Sequence, residues 1–120
     1  MADVFSDSID ALIRRNPVID GVAFTDLDGE EIALTPRSER DALRVCAAYG
    51  GIALRRLSAA EKASGGQYVD RIVVDGSKGR FVTLRVGDGY QLVLTITGST
   101  PVARILSDAQ ETAEILKAAI

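Results

Sequence analysis

The feature that most constrains this chain is a central helix with too little polar surface. Leu43, Ala47, Gly50, Leu54 and Leu57 recur at three- and four-residue spacing and make one apolar face. Val45, Ala48, Tyr49, Ile52 and Ala53 cover much of the rest. A helix apolar nearly all round must be buried on more than one side. The chain has 120 residues, the size of one domain with one core. A sheet can cover one side of such a helix; something else must cover the other.

Gly50-Gly51 sharpens the point. Each glycine in a helix interior costs about 1 kcal/mol relative to alanine. Flanked by Cys46, Ala47 and Ala48, the pair makes a flat patch where another backbone can approach closely. Two readings stand: a contact between subunits, which is the expectation carried forward, or a tight crossing or kink on the chain's own sheet.

The surrounding pattern supplies the sheet. Phe5, Ile9, Leu12 and Ile13 share one face of a first helix, which Asn16-Pro17 stops. Val18 to Asp26 reads as a strand, Asp28-Gly29 as a turn, and Glu31 to Leu34 as a short returning strand. Thr35-Pro36 and Ser38-x-x-Asp41 are competing starts for the central helix, which Ser64-Gly65-Gly66 ends. Strands over Tyr68–Asp75, Arg80–Val86 and Tyr90–Thr97 follow, joined by Gly76-Ser77-Lys78-Gly79 and Gly87-Asp88-Gly89. Thr100 and Pro101 suit the cap and first residue of a last helix. Its stripe is Val102, Ile105, Leu106, Ala109, Ala113, Leu116 and Ile120. The expectation is one α/β (α+β) domain over residues 1–120, of order α-β-β-α-β-β-β-α, with a mostly antiparallel five-stranded sheet.

A second feature also asks for a partner. The strand Tyr68–Asp75 begins a meander after a long connection, which places it at a sheet edge. An edge exposing Ile72, Val73 and Val74 aggregates unless it is paired or protected. Pairing with its own copy across a twofold axis is one solution. Protection by Asp70 and Arg71 is the other. The expected dimer interface is therefore Cys46, Ala47, Gly50, Gly51 and Leu54 on the helix, with Tyr68, Asp70, Ile72 and Val74 on the strand.

Signs of catalysis are few. The chain has no histidine, which removes the usual neutral-pH acid/base, the commonest metal ligand and the standard partner of a nucleophile. A net charge of −3 and the lack of tryptophan leave no footprint for nucleic acid. No apolar run approaches the ~20 residues that cross a bilayer. Cys46 is the single cysteine, so no disulfide forms within the chain, and a cytoplasmic setting is expected. Neither a cofactor, a metal nor an enzyme activity is expected.

Three motifs resemble chemistry. Phe24-Thr25-Asp26-Leu27-Asp28-Gly29 looks like the Asp-x-Asp-Gly of haloacid-dehalogenase-type phosphotransferases, but the chain turns straight back into Glu31–Leu34, so a hairpin turn is expected. An EF-hand is excluded by missing ligand positions. Gly76-Ser77-Lys78-Gly79 lacks the rest of a phosphate-binding loop and joins two strands. Cys46, among apolar neighbours, is expected to be a buried and inert thiol. Arg44, Arg55 and Arg56 are solvated flanks, members of intersubunit pairs, or candidates for an acidic partner surface.

Taken together, the order of elements resembles the Roadblock/dynein light chain family over nearly the whole chain. The resemblance is carried by Val18-Ile19-Asp20-Gly21-Val22-Ala23-Phe24-Thr25-Asp26-Leu27-Asp28-Gly29, by the small-residue central helix, and by Gly89-Tyr90-Gln91-Leu92-Val93-Leu94-Thr95-Ile96 before the closing helix. It implies three layers, with the central helix on one face of the sheet and the first and last helices on the other. It also implies a homodimer built on the central helices and third strands. The implied function is a non-catalytic regulator or scaffold for a small Ras-like GTPase, as in bacterial gliding-motility members that promote GTP hydrolysis without lending an arginine. A structural adaptor of the dynein light-chain kind and a small-ligand sensor are the alternatives. Arg44, Arg55 and Arg56 are the residues the resemblance offers for the GTPase-facing surface.

Overall fold

Local chemistry sets the ends of the first helix. In the computed structural model, which describes residues 3–36, 40–66, 69–77, 79–98 and 101–120, Asp3 caps α1 (Val4–Arg15) by accepting the Phe5 N–H at 3.0 Å. At the other end the Asn16 side-chain amide donates to the Leu12 carbonyl and to Asp108 at 3.0 Å. One buried asparagine thus ends α1 and ties it to the last helix.

The remaining elements are β1 (Ile19–Asp26), β2 (Glu31–Pro36), α2 (Arg40–Ala63), β3 (Arg71–Gly76), β4 (Gly79–Val86), β5 (Tyr90–Ile96) and α3 (Ala103–Ala119). The order α-β-β-α-β-β-β-α is the expected one. The sheet runs β2-β1-β5-β4-β3, and every neighbouring pair is antiparallel. Three element boundaries differ from the sequence reading by two residues or more, and several others by one. β2 runs on to Pro36, two residues further. β3 begins at Arg71; Tyr68 lies outside the described residues. α3 begins at Ala103 behind Val102, with no side-chain cap, so Pro101 precedes the helix; Thr100, like the Ser38 start signal, lies outside the described residues.

Alternation along the strands separates two cores. On one face Val22, Phe24, Val82, Leu84, Leu92 and Leu94 meet α1 and α3 in one large buried cluster. The Phe24 ring sits 5.5 Å from Phe5 and 5.8 Å from Tyr90. On the opposite face the cluster is small: Ala23, Leu43, Ala47 and Val93, with Leu34, Cys46 and Phe81 half-buried around it. There β1 presents Gly21, Ala23 and Thr25, which let α2 lie close.

Candidate protein–protein interface

The small residues of α2 point inward. A Cβ on Gly50 would come within 2.6 Å of Gln91 Oε1, and one on Gly51 within 2.0 Å of the Leu27 carbonyl oxygen. Ala47 and Leu54 are equally buried. The expectation that Ala47, Gly50, Gly51 and Leu54 form a subunit contact is therefore corrected. They make the tight crossing of α2 on its own sheet and on the β1–β2 turn.

The glycines make room for a buried polar knot that the sequence did not flag. Gln91, fully buried on β5, donates to the Ala47 carbonyl at 2.7 Å and to Thr25 Oγ1 at 3.1 Å, and accepts from Thr83 Oγ1 at 2.8 Å. A buried amide without partners would be costly; here it bolts three strands to α2. Alternating strand patterns give no hint of it, since a lone glutamine reads as an outward-facing residue.

With its inner face so occupied, α2 leaves its outer face bare. Tyr49 is 63% exposed, Val45 53% and Ile52 48%. The two flanks differ. On one, Arg44 pairs with Glu31, holding that carboxyl below the usual carboxylate range through its hydrogen bond and charge. Arg55 pairs with Asp28 at 2.5 Å on the same side. Both arginines reach across to their own first hairpin, while Arg56 is exposed.

The opposite flank is apolar. Ala42 and Cys46 face Val74 and Phe81 across a groove of about 530 Å³, which continues to Asp20, Arg80 and Thr97. Cys46 is half-buried in it rather than sealed, and burial pushes its thiol up, so it stays uncharged near neutrality. Beyond the groove lies β3, an edge strand as expected, which among the described residues pairs with β4 alone. Ile72 is half-buried, and Asp70, Val73 and Val74 are exposed. Among the dimer candidates, Cys46, Ile72 and Val74 thus share one open surface, with Asp70 at the start of the same edge.

A second arrangement also escaped the sequence. The Arg85 guanidinium donates to the Val69 carbonyl at 3.0 Å, to Ser58 Oγ at 2.8 Å and to Glu61 Oε1 at 2.8 Å. Glu61 also accepts the Val69 N–H at 3.1 Å. The pair is nearly dry, with side chains 6% and 13% exposed. It clamps the end of α2 to the approach of β3 and so holds the open edge in place.

The chemical-looking motif resolves as a turn. Asp26 Oδ1 accepts the N–H groups of Asp28 and Glu30 at 2.9 and 3.0 Å, and Gly29 has φ of 87°, a value that favours glycine. Both carboxylates are accounted for by the hairpin and by Arg55. Among the described residues no group of three His, Cys, Asp or Glu side chains could hold a metal ion, and no helix is long and apolar enough to cross a membrane.

No protein-family model and no curated protein sequence matches the chain. Solved structures do match it. MglB of Myxococcus xanthus aligns with a TM-score of 0.81 over 95% of this chain and 92% of its own, at 15% identity. A Roadblock/LC7 domain from Streptomyces avermitilis aligns at 0.78 over 94% of each chain, at 16% identity. Profilin II of Acanthamoeba castellanii follows at 0.67 over 95% of this chain and 97% of its own, at 12% identity. The chain has the Roadblock/LC7 fold.

Proposed function

We propose that this chain is a non-catalytic homodimer that regulates or scaffolds a small Ras-like GTPase in the cytoplasm. The observation that carries the reading is the half-finished α2 face. Val45, Tyr49 and Ile52 stand bare on the helix, and an apolar groove separates it from the open strand β3. Contiguous apolar surface of this kind marks a contact site. A second copy seated on the groove and on β3 covers one part of it and leaves the helix crests for the GTPase. The likeness of fold to MglB and to a Roadblock/LC7 domain supports the same reading.

The mechanism is selection by shape. A rigid dimer face binds one arrangement of the GTPase switch loops better than another and shifts their populations by that difference in affinity. Arg44 and Arg55 are engaged with Glu31 and Asp28, while Arg56 stands exposed on α2; positioning of the switch loops is the mode of action proposed here.

The test is titration of the dimer with a purified small Ras-like GTPase, loaded with GDP or with a non-hydrolysable GTP analogue. Binding at least tenfold tighter to one form is expected, with that form's switch loops protected from exchange. Equal affinity for the two forms would remove the regulatory reading and leave a structural adaptor.

A further inference from the structure

The α1–α3 side of the molecule carries a groove of its own, on the opposite face of the sheet from α2. It has a volume of about 450 Å³ and lies between the two helices, with Ser8, Ala11 and Thr112 along its floor and Val4 and Ile115 on its rim. The floor makes no demand for a polar ligand. Ser8 Oγ donates to the Val4 carbonyl at 2.7 Å and Thr112 Oγ1 to the Asp108 carbonyl at 3.0 Å, so each hydroxyl is spent on its own helix. Small side chains let another helix approach closely, and Val4 and Ile115, 47% and 46% exposed, offer it apolar contact. A groove of this kind suits a helix.

The charges say which helix. Asp7 and Arg15 also line the groove, four residues to either side of Ala11, or about 12 Å apart along the axis of α1. Both are exposed, and among the described residues neither belongs to an ion pair. Acid near the start of a helix and base near its end match the helix dipole, which accounts for each charge within α1. The same order makes α1 complementary to a reversed copy of itself. Laid antiparallel about Ala11, Asp7 of each copy meets Arg15 of the other, and the smallest residue of the stripe sits at the crossing. Centring on Asp7 or on Arg15 would set like charges together. Centring on Val4 or on Ser8 would leave Arg15 past the end of the opposing helix, which begins at Val4.

We propose that the α1–α3 groove receives α1 of a second copy, antiparallel about a twofold axis at Ala11, with Asp7 of each copy opposite Arg15 of the other. The contact uses none of the α2–β3 surface and does not depend on the homodimer reading. Where both contacts hold, each dimer carries two α1 stripes, and dimers join one another through a second isologous interface. Exposed ion pairs contribute little, so this contact is weak and links dimers only in concentrated solution, above the micromolar range. That is a property suited to a scaffold that assembles where it is gathered.

Disulfide trapping detects such a contact, because pairing holds two thiols at high effective concentration. In a Cys46→Ala background, which removes the chain's single cysteine, Ala11→Cys places a thiol on the axis, and Ser107→Cys on exposed α3 reports random collision. Self-linking of the Ala11→Cys chain is expected to be about tenfold faster than that of the Ser107→Cys chain. Adding Asp7→Arg or Arg15→Asp to the Ala11→Cys chain should each slow linking to the collision rate, since like charges then meet twice. Mixing the two charge-reversed chains should restore it, which a misfolded helix could not do. Equal rates for the Ala11→Cys and Ser107→Cys chains would overturn the proposal. Fast linking that ignores both reversals, or that mixing fails to restore, would overturn the antiparallel register on which it stands. None of these outcomes alters the mass of the unsubstituted chain at micromolar concentration, which tests the α2–β3 homodimer by itself.

Discussion

On the α1–α3 face of the sheet, Phe24, Leu84, Leu92 and their neighbours are fully buried and two helices close over them. On the α2 face a single helix sits over β1 and β5, the buried cluster shrinks to four residues, and the ground between α2 and β3 stays open. The same strands build both faces, so the difference lies in what each face is for. Stability comes chiefly from the first. The second is held by small residues and buried polar bonds, Gln91 on the sheet and Arg85 at the edge, which position α2 and β3 without covering them.

That contrast can be broken from either side. Phe24→Ala should cost about 4 kcal/mol, because a large ring leaves a cavity among residues that cannot collapse into it; urea unfolding measures it. Gly51→Ala should cost about 3 kcal/mol, since its methyl would meet the Leu27 carbonyl at 2.0 Å and backbone must move. A melt of Gly51→Ala indistinguishable from that of the parent would restore the glycines as an outer patch. Ile52→Asp, on the bare crest, should change protomer stability by less than about 0.5 kcal/mol while weakening partner binding strongly. Calorimetry and a pull-down separate the two effects.

The smallest effect sharpens the difference between the flanks of α2. Arg44 lowers the pKa of Glu31 in the folded chain, so the pair's contribution is complete above the unfolded carboxylate's pKa and fades as pH falls through the folded one. Glu31→Gln should therefore be slightly less stable at neutral pH, and the two chains should converge in acid. A constant difference across that range would mean that the pair does not stabilise the fold.

Much of this was readable in the sequence because period and punctuation carry it. Asn16-Pro17, Asp28-Gly29 and Ser64-Gly65-Gly66 mark the ends of elements, and the hydrophobic spacing of Ile9, Leu12 and Ile13 or of Ala109, Ala113 and Leu116 marks the faces of α1 and α3. The edge position of β3 followed from its place after a long connection. The orientation of α2 did not follow. A helix apolar almost all round has no polar side to point outward, so Gly50 and Gly51 suited either face, and the bulkier Val45, Tyr49 and Ile52 were left outside. Nor could spacing reveal Gln91 or the Arg85–Glu61 pair. Their bonds join residues far apart in sequence, and each alone looks like an ordinary surface residue.

The account rests on the claim that the open α2–β3 surface belongs to a second copy of the chain. Light scattering across a dilution series into the low micromolar range tests it most directly. A mass near twice 12.8 kDa at every concentration is the expected result. A stable mass of 12.8 kDa throughout would contradict the claim and assign that surface to a different protein.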